Sequence, residues 1–121
     1  WMNVNDIVGE YHILGNNQDK DATEYSGTLK LSLDYHLKII AKWNINESQE
    51  QFGTGFFKDN ILVINFSYKG DNDEIYKGTV VYKFLNKDII NGFWSEKHGN
   101  QEFLGTERGS RINNMKKNLI I

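Results

Sequence analysis

Glu107 is the residue best suited to acid–base chemistry. It lies in "FLGTERG", residues 103–109, where strand alternation places it on the face of Phe103 and Gly105 and so points it inward. A carboxyl group carried into an apolar interior needs a partner. Arg108 follows directly but falls on the opposite face, which leaves Arg111, and a structural Glu107–Arg111 ion pair is favoured over a general acid or base. Without a second carboxylate or a nucleophile nearby no reaction can be written, and a non-catalytic protein is expected.

Metal chemistry finds little support. His12, His36 and His98 fall on the first strand and in two separate hairpin turns, with no spacing that gathers them on one ion. Asn17, Asp19 and Asp21 have the alternate spacing of a calcium loop's start, but Ala22 stands where the turn glycine belongs and no closing Glu follows. The run Asp71, Asn72, Asp73, Glu74 is too short to supply a full ligand set. Neither metal nor cofactor is expected.

Aromatic residues offer a different chemistry, namely contact with something flat or apolar. The chain has 3 Trp, 6 Tyr and 7 Phe. Tyr11, Tyr25, Trp43, Tyr76, Tyr82 and Trp94 are the candidate lining of a ligand cavity, with tyrosine hydroxyls supplying the polar contacts that orient a guest. The alternative for all six is plain core packing.

Composition limits what can position these groups. A chain of 121 residues forms one domain, and 39% apolar with 25% charged residues is ordinary for a globular fold. A net charge of −2 gives no general attraction to phosphate, so nucleic acid is not an expected partner. No apolar run is long enough to cross a bilayer as a helix. The absence of cysteine excludes disulfides and thiolate chemistry. Trp1 in the first position is what a removed leader or a trimmed start would leave, and it tilts the expectation towards a periplasmic or secreted protein.

Strand signals dominate. Alternating runs rich in Ile, Val, Tyr, Phe and Thr occupy 7–15, 25–33, 36–45, 50–57, 61–68, 75–85, 88–96 and 101–108. Turns at 34–36, 58–60, 86–88 and 97–100 are short enough to force antiparallel neighbours, while 16–23 and 69–74 form longer polar loops. Gly-Thr recurs with Gly at 27, 53, 78 and 105, about two strand-plus-turn lengths apart, on strands that run in the same direction. Alternation in "YSGTLKLSL" puts these glycines on the apolar face, where they permit sharp bending and spare interior volume.

An all-β, antiparallel, eight-stranded up-and-down β-barrel over 1–109 follows, with residues 110–121 as a tail or short helix laid on the wall through Ile112, Met115, Leu119 and Ile120. A β-sandwich is the alternative. The expected interior includes Ile7, Leu29, Ile39, Leu62, Phe84 and Ile90, and also Leu37 and Phe103. Outward alternation leaves an apolar band of Ile40, Phe52, Phe56, Val63, Val81 and Phe93, with Ile61, which is expected to serve as a homo-oligomer interface, a dimer being the simplest.

"GEY" at residues 9–11, the eight-strand meander and a late Arg (Arg108 or Arg111) resemble the calycin group, which includes lipocalins, avidins and fatty-acid-binding proteins. In lipocalins the first motif is Gly-x-Trp, and a basic residue after the last strand packs over that ring; here Tyr11 stands in the ring position. "GTGFFKDNILVINF", "GTVVYKFLNKDIINGFW" and "GTERG" are also similar to small bacterial barrels with no assigned activity. The resemblance implies a barrel holding a small apolar or aromatic ligand, and association through the barrel wall as in avidins. Biotin itself is not expected, because the Ser, Thr and Asn donors of an avidin site cannot be matched. Two other readings stand beside it: a filled barrel acting as a protein-interaction or inhibitor module through loops 16–23 and 69–74, and a barrel-type isomerase or cyclase built on Glu107.

Overall fold

The alternating runs become eight strands: β1 (Gly9–Asn16), β2 (Glu24–Leu33), β3 (Ile39–Ile45), β4 (Gln49–Lys58), β5 (Ile61–Lys69), β6 (Ile75–Phe84), β7 (Ile89–Glu96) and β8 (Gly105–Arg111). The computed structural model describes residues 1–113. Each strand pairs antiparallel with the next, and β1 pairs with β8, so the sheet closes on itself as a barrel and the sandwich alternative falls. Closure removes every free edge, which matters for a chain with no proline to blunt one.

Inward positions follow the alternation. Tyr11 and Ile13 of β1, Leu29 and Leu31 of β2, and Leu62 and Ile64 of β5 are almost wholly buried. Burying each such side chain contributes roughly 1.5–3 kcal/mol. The four Gly-Thr glycines face the axis, and two of them seat aromatic rings from the partner strand: Phe66 lies over Gly78 and Trp94 over Gly105. The space spared by missing side chains is thus taken up largely by rings.

The two ends differ. Around the ends of β2, β4, β6 and β8 nearest residues 33, 58, 84 and 111 the barrel is solid, with Phe84 packed edge-on against Tyr11 and Phe57 at centroid distances of 6.1 and 5.6 Å. A 3-10 turn, Val4–Ile7, covers this end and inserts the fully buried Ile7. The turn is held by a reciprocal cap between Asn3 and Asp6. Sequence periodicity had Ile7 opening the first strand; the strand begins at Gly9 because the cap bends the chain before it.

Arg111 fastens the same end. Its guanidinium lies 4.9 Å from the centre of the Tyr11 ring and donates to the Tyr11 hydroxyl (2.8 Å) and to the carbonyls of Val8, Asp6 and Lys87 (2.8, 2.6 and 2.9 Å). Burial pushes the Tyr11 phenol up to about 12, opposed by the charge of Arg111.

Two more strand starts move. The third strand starts at Ile39, not 36, because the Asp34 side chain accepts from the amides of His36 and Lys38 (2.8 and 2.9 Å) and closes a turn. Leu37, expected inside, sits in that turn at φ 62° and is 65% exposed. The eighth strand starts at Gly105, not 101: Asn100 caps a turn through Glu102 N (3.0 Å), and Phe103 lies in the connection. β8 continues to Arg111, and the Ile112 amide still donates to Glu10 O (2.8 Å). The helix expected over Met115, Leu119 and Ile120 lies outside the described residues.

Candidate functional site

Glu107 sits at the centre of a row that crosses five strands. Register places it directly between Gly15 of β1 and Gly92 of β7, and places Tyr25 of β2 opposite Gly15 and Tyr82 of β6 opposite Gly92. A side chain on either glycine would collide with the neighbouring ring; a β-carbon on Gly92 would lie 2.6 Å from Tyr82 Cδ1. Both phenols therefore lean across a bare backbone position to reach the same carboxyl group. Tyr25 donates to Glu107 Oε2 at 2.5 Å and Tyr82 donates to Oε1.

A second tier fixes the direction of these bonds. Trp94 Nε1 donates to Tyr25 Oη (2.9 Å) and Trp43 Nε1 to Tyr82 Oη (3.0 Å). An indole can only donate, so each phenol oxygen accepts from its tryptophan and passes its own proton towards Glu107. Both oxygens of Glu107 are thereby acceptors. Burial raises the Glu107 pKa, while the hydrogen bonds from Tyr25, Tyr82 and Trp43 pull it down without cancelling the burial. Burial, and then the charge of Glu107, raise both phenols well above the usual tyrosine range, so they stay protonated donors.

The expected Glu107–Arg111 ion pair does not form. Four residues along a strand span about 13 Å, so two residues of one face four apart belong to different levels of the barrel. Glu107 lies in the upper half among phenols and indoles, and Arg111 lies at the closed end with Asp88 (3.7 Å) as its nearest acidic partner.

Above this row the barrel is hollow. The cavity has a volume of about 340 Å³ and opens at the end that carries loops 17–23, 46–48, 70–74 and 97–104. Its walls include four of the six expected residues: Tyr25, Trp43, Tyr82 and Trp94. Tyr11 is at the closed end instead. Tyr76 stays at the rim, donating to Glu74 Oε1 (3.0 Å) and stacking on Tyr68 at 5.3 Å. Phe66 completes the aromatic wall, 6.0 Å from Trp43 and 6.3 Å from Trp94 in steeply tilted contacts.

The mouth carries residues that alternation could not single out. Tyr68 donates to Glu96 Oε1 at 2.5 Å. Gln18 is buried although it belongs to a wholly polar loop: its amide nitrogen donates to Ser95 Oγ, Asn100 O and Phe103 O (2.9, 3.1 and 2.9 Å), and its oxygen accepts from Glu96 N (2.9 Å). One side chain thus ties loop 17–23 to loop 97–104. The Asp19 carboxylate accepts from Ala22 N (2.7 Å) and shapes that turn.

The histidines stay apart, His12 on the outer wall of β1, His36 in the turn at the closed end, and His98 at the mouth beside Tyr76. On the outer wall, Phe56, Val63, Val81 and Phe93 pair in sequence across β4 to β7 and form one continuous row. Phe52 stands two outward positions from Phe56, beyond Thr54, beneath Lys42 (5.7 Å to the ring centre), and Ile40 faces Thr54.

No family model matches the chain, and no curated protein matches it. Among solved structures it is similar to a redesigned β-barrel, mFAP1, bound to DFHBI, with 16% identity and a TM-score of 0.68 over 89% of this chain and 97% of that one. A second redesigned barrel, b11L5F_LGL, has 12% identity and a TM-score of 0.70 over 91% and 95%. A natural protein of unknown function, of the DUF3598 family from Nostoc punctiforme, has 15% identity and a TM-score of 0.57 over 92% of this chain and 49% of that one. At these identities the likeness concerns the fold.

Proposed function

We propose that this barrel is a non-catalytic binding protein that holds a small aromatic or apolar-bodied molecule in its upper half. The observation that carries the reading is the division of the interior: a solid lower core under a 340 Å³ cavity walled by Trp43, Trp94, Tyr25 and Phe66. That volume is near the lower end of the roughly 300–1,000 Å³ common for small-molecule sites. The designed neighbour mFAP1 is bound to DFHBI, which supports the idea that a barrel of this shape can host a guest. The stack of Arg111 on Tyr11 supports kinship with the calycin group.

The other readings have less behind them. An interaction module with a filled core does not account for the cavity. An isomerase or cyclase needs a second group to pass the proton on, and the phenols that flank Glu107, Tyr25 and Tyr82, are held protonated.

The test is a mixture screen by native mass spectrometry, comparing the protein with a Gln51→Trp variant that plugs the cavity from its wall. A retained small molecule that disappears in the variant is expected. A screen in which nothing is retained, or in which the plug changes nothing, overturns the reading.

We further propose that the outer row is the contact of a homodimer. Read across the sheet, Phe56, Val63, Val81 and Phe93 have the same order from either end, so a two-fold axis between β5 and β6 would set Phe against Phe and Val against Val. Such self-complementarity is what an isologous contact requires. Phe56 and Phe93 are 64% and 49% exposed, which favours burial against a second copy.

A further inference from the structure

We infer that the ligand is a small organic cation, an amine carried on an aromatic or apolar body, whose ammonium group lies beside Glu107 among the tilted rings of Trp43, Trp94 and Tyr25. This rests on the ligand-binding reading above and specifies the charge of the guest.

Two indole N–H groups and two phenol O–H groups all point down the same path and end on the two oxygens of Glu107. A carboxyl group that accepts on both oxygens keeps no proton to donate, so this hydrogen-bond pattern is that of the carboxylate, whose charge burial opposes. Yet Glu107 is 5% exposed, and among the described residues no cation forms an ion pair with it. Neutral donors solvate the charge and do not balance it, and a buried charge left unbalanced is costly. A cationic guest supplies the missing counter-charge.

The cavity's lining fits that guest and disfavours the opposite one. Its carboxylates are Glu107 at depth and Glu24 and Glu96 nearer the mouth, and no Lys, Arg or His is among its lining residues. An anion entering would meet three like charges and no partner. The walls add a second attraction, because the faces of Trp, Tyr and Phe rings carry negative potential and draw cations, most strongly where water is excluded. Trp94 stands at 61° to Tyr25 and 82° to Phe66, so the rings present faces in several directions around the space. Asn17, Gln49 and Gln51 at the wall leave amide groups for polar parts of the guest.

Phenethylamine, 2-phenylethanol and 3-phenylpropionate share one ring and differ in charge, so titrating all three separates the claims. The readouts are tryptophan fluorescence, which reports on Trp43 and Trp94, and native mass spectrometry. The amine is expected to bind tightest and the carboxylate weakest, and Glu107→Gln is expected to weaken the amine roughly tenfold while leaving the alcohol nearly unchanged. The preference should survive added salt, since a buried pair is poorly screened while amines gathered on an acidic surface are released. If the alcohol binds as well as the amine, or Glu107→Gln leaves the amine's affinity intact, the cation inference is overturned and the binding reading stands. If none of the three binds, the cation inference falls as well, and the mixture screen alone decides the binding reading. The three-ligand comparison on the unmodified protein does not depend on the variant folding.

Discussion

Tyr82 reaches Glu107 only by crossing Gly92, its direct partner on the neighbouring strand, and Tyr25 does the same over Gly15 from the other side. Glycine at these two positions is thus a requirement of the hydrogen-bond row. Gly15→Ala or Gly92→Ala should push the ring off its glycine and cost about 1–3 kcal/mol by overpacking, before any loss from a broken bond to a buried carboxylate. Urea midpoints measure the effect. His12→Ala, on the outer face of the same strand as Gly15, should stay within about 0.5 kcal/mol, and an equal loss there would show that the strand is merely sensitive to any change.

Glu107 also predicts a pH dependence. Its pKa in the folded protein is raised above the ordinary 4.5, chiefly by burial. Its contribution to stability is therefore full below the ordinary value and is lost as pH rises through the folded value. The groups facing it are Tyr25 from β2 and Tyr82 from β6, both raised and protonated throughout this window, with Glu96 and Tyr68 further towards the mouth. The carboxylates of Asp6, Asp34 and Glu74, away from the cavity floor, have lowered values and act in more acid solution. Melting temperatures of the protein and of Glu107→Gln, measured from pH 4 upward, isolate the effect. The difference, native minus variant, should fall as pH rises above 4.5 and then level off; a flat difference means that Glu107 ionises alike in folded and unfolded chains.

The eight strands and the direction of each side chain were legible because period-two alternation survives wherever one face is buried. Four cavity residues, Tyr25, Trp43, Tyr82 and Trp94, were found that way. Alternation specifies a face but not a height along the barrel, which is why Tyr11 and Tyr76 were grouped with them although they lie at the closed end and the rim. The same blindness paired Glu107 with Arg111. Its real partners come from strands that register alone brings together, and register is set by turns whose side-chain caps, at Asp34 and Asn100, moved two strand boundaries. Gln18 left no periodic signal, since its burial depends on loops meeting in space.

At the closed end, Arg111→Ala should remove hydrogen bonds to three carbonyls and one phenol together with the stack on Tyr11. A loss of about 3 kcal/mol is expected from charge-assisted bonds of this kind. Arg111→Lys should recover only part of it, because an ammonium cannot present the planar fork that meets four acceptors. Hydrogen exchange should show the Val4–Ile7 turn opening in both variants. Full recovery with lysine would mean that charge alone does the work.

The outer row predicts the state of association. If Phe56, Val63, Val81 and Phe93 meet their counterparts across a two-fold axis, each Phe lies against the other Phe of the second copy, and one substitution introduces two changes per dimer. Phe93→Lys should therefore bring like charge into an apolar contact twice and yield monomers by sedimentation equilibrium, with little change in the melting of the monomer because Phe93 is 49% exposed on the barrel wall. Phe52→Lys, beside Lys42 and off the row, should weaken association far less. A protein that sediments as a monomer at every concentration, or a dimer that tolerates Phe93→Lys, places the contact elsewhere or removes it.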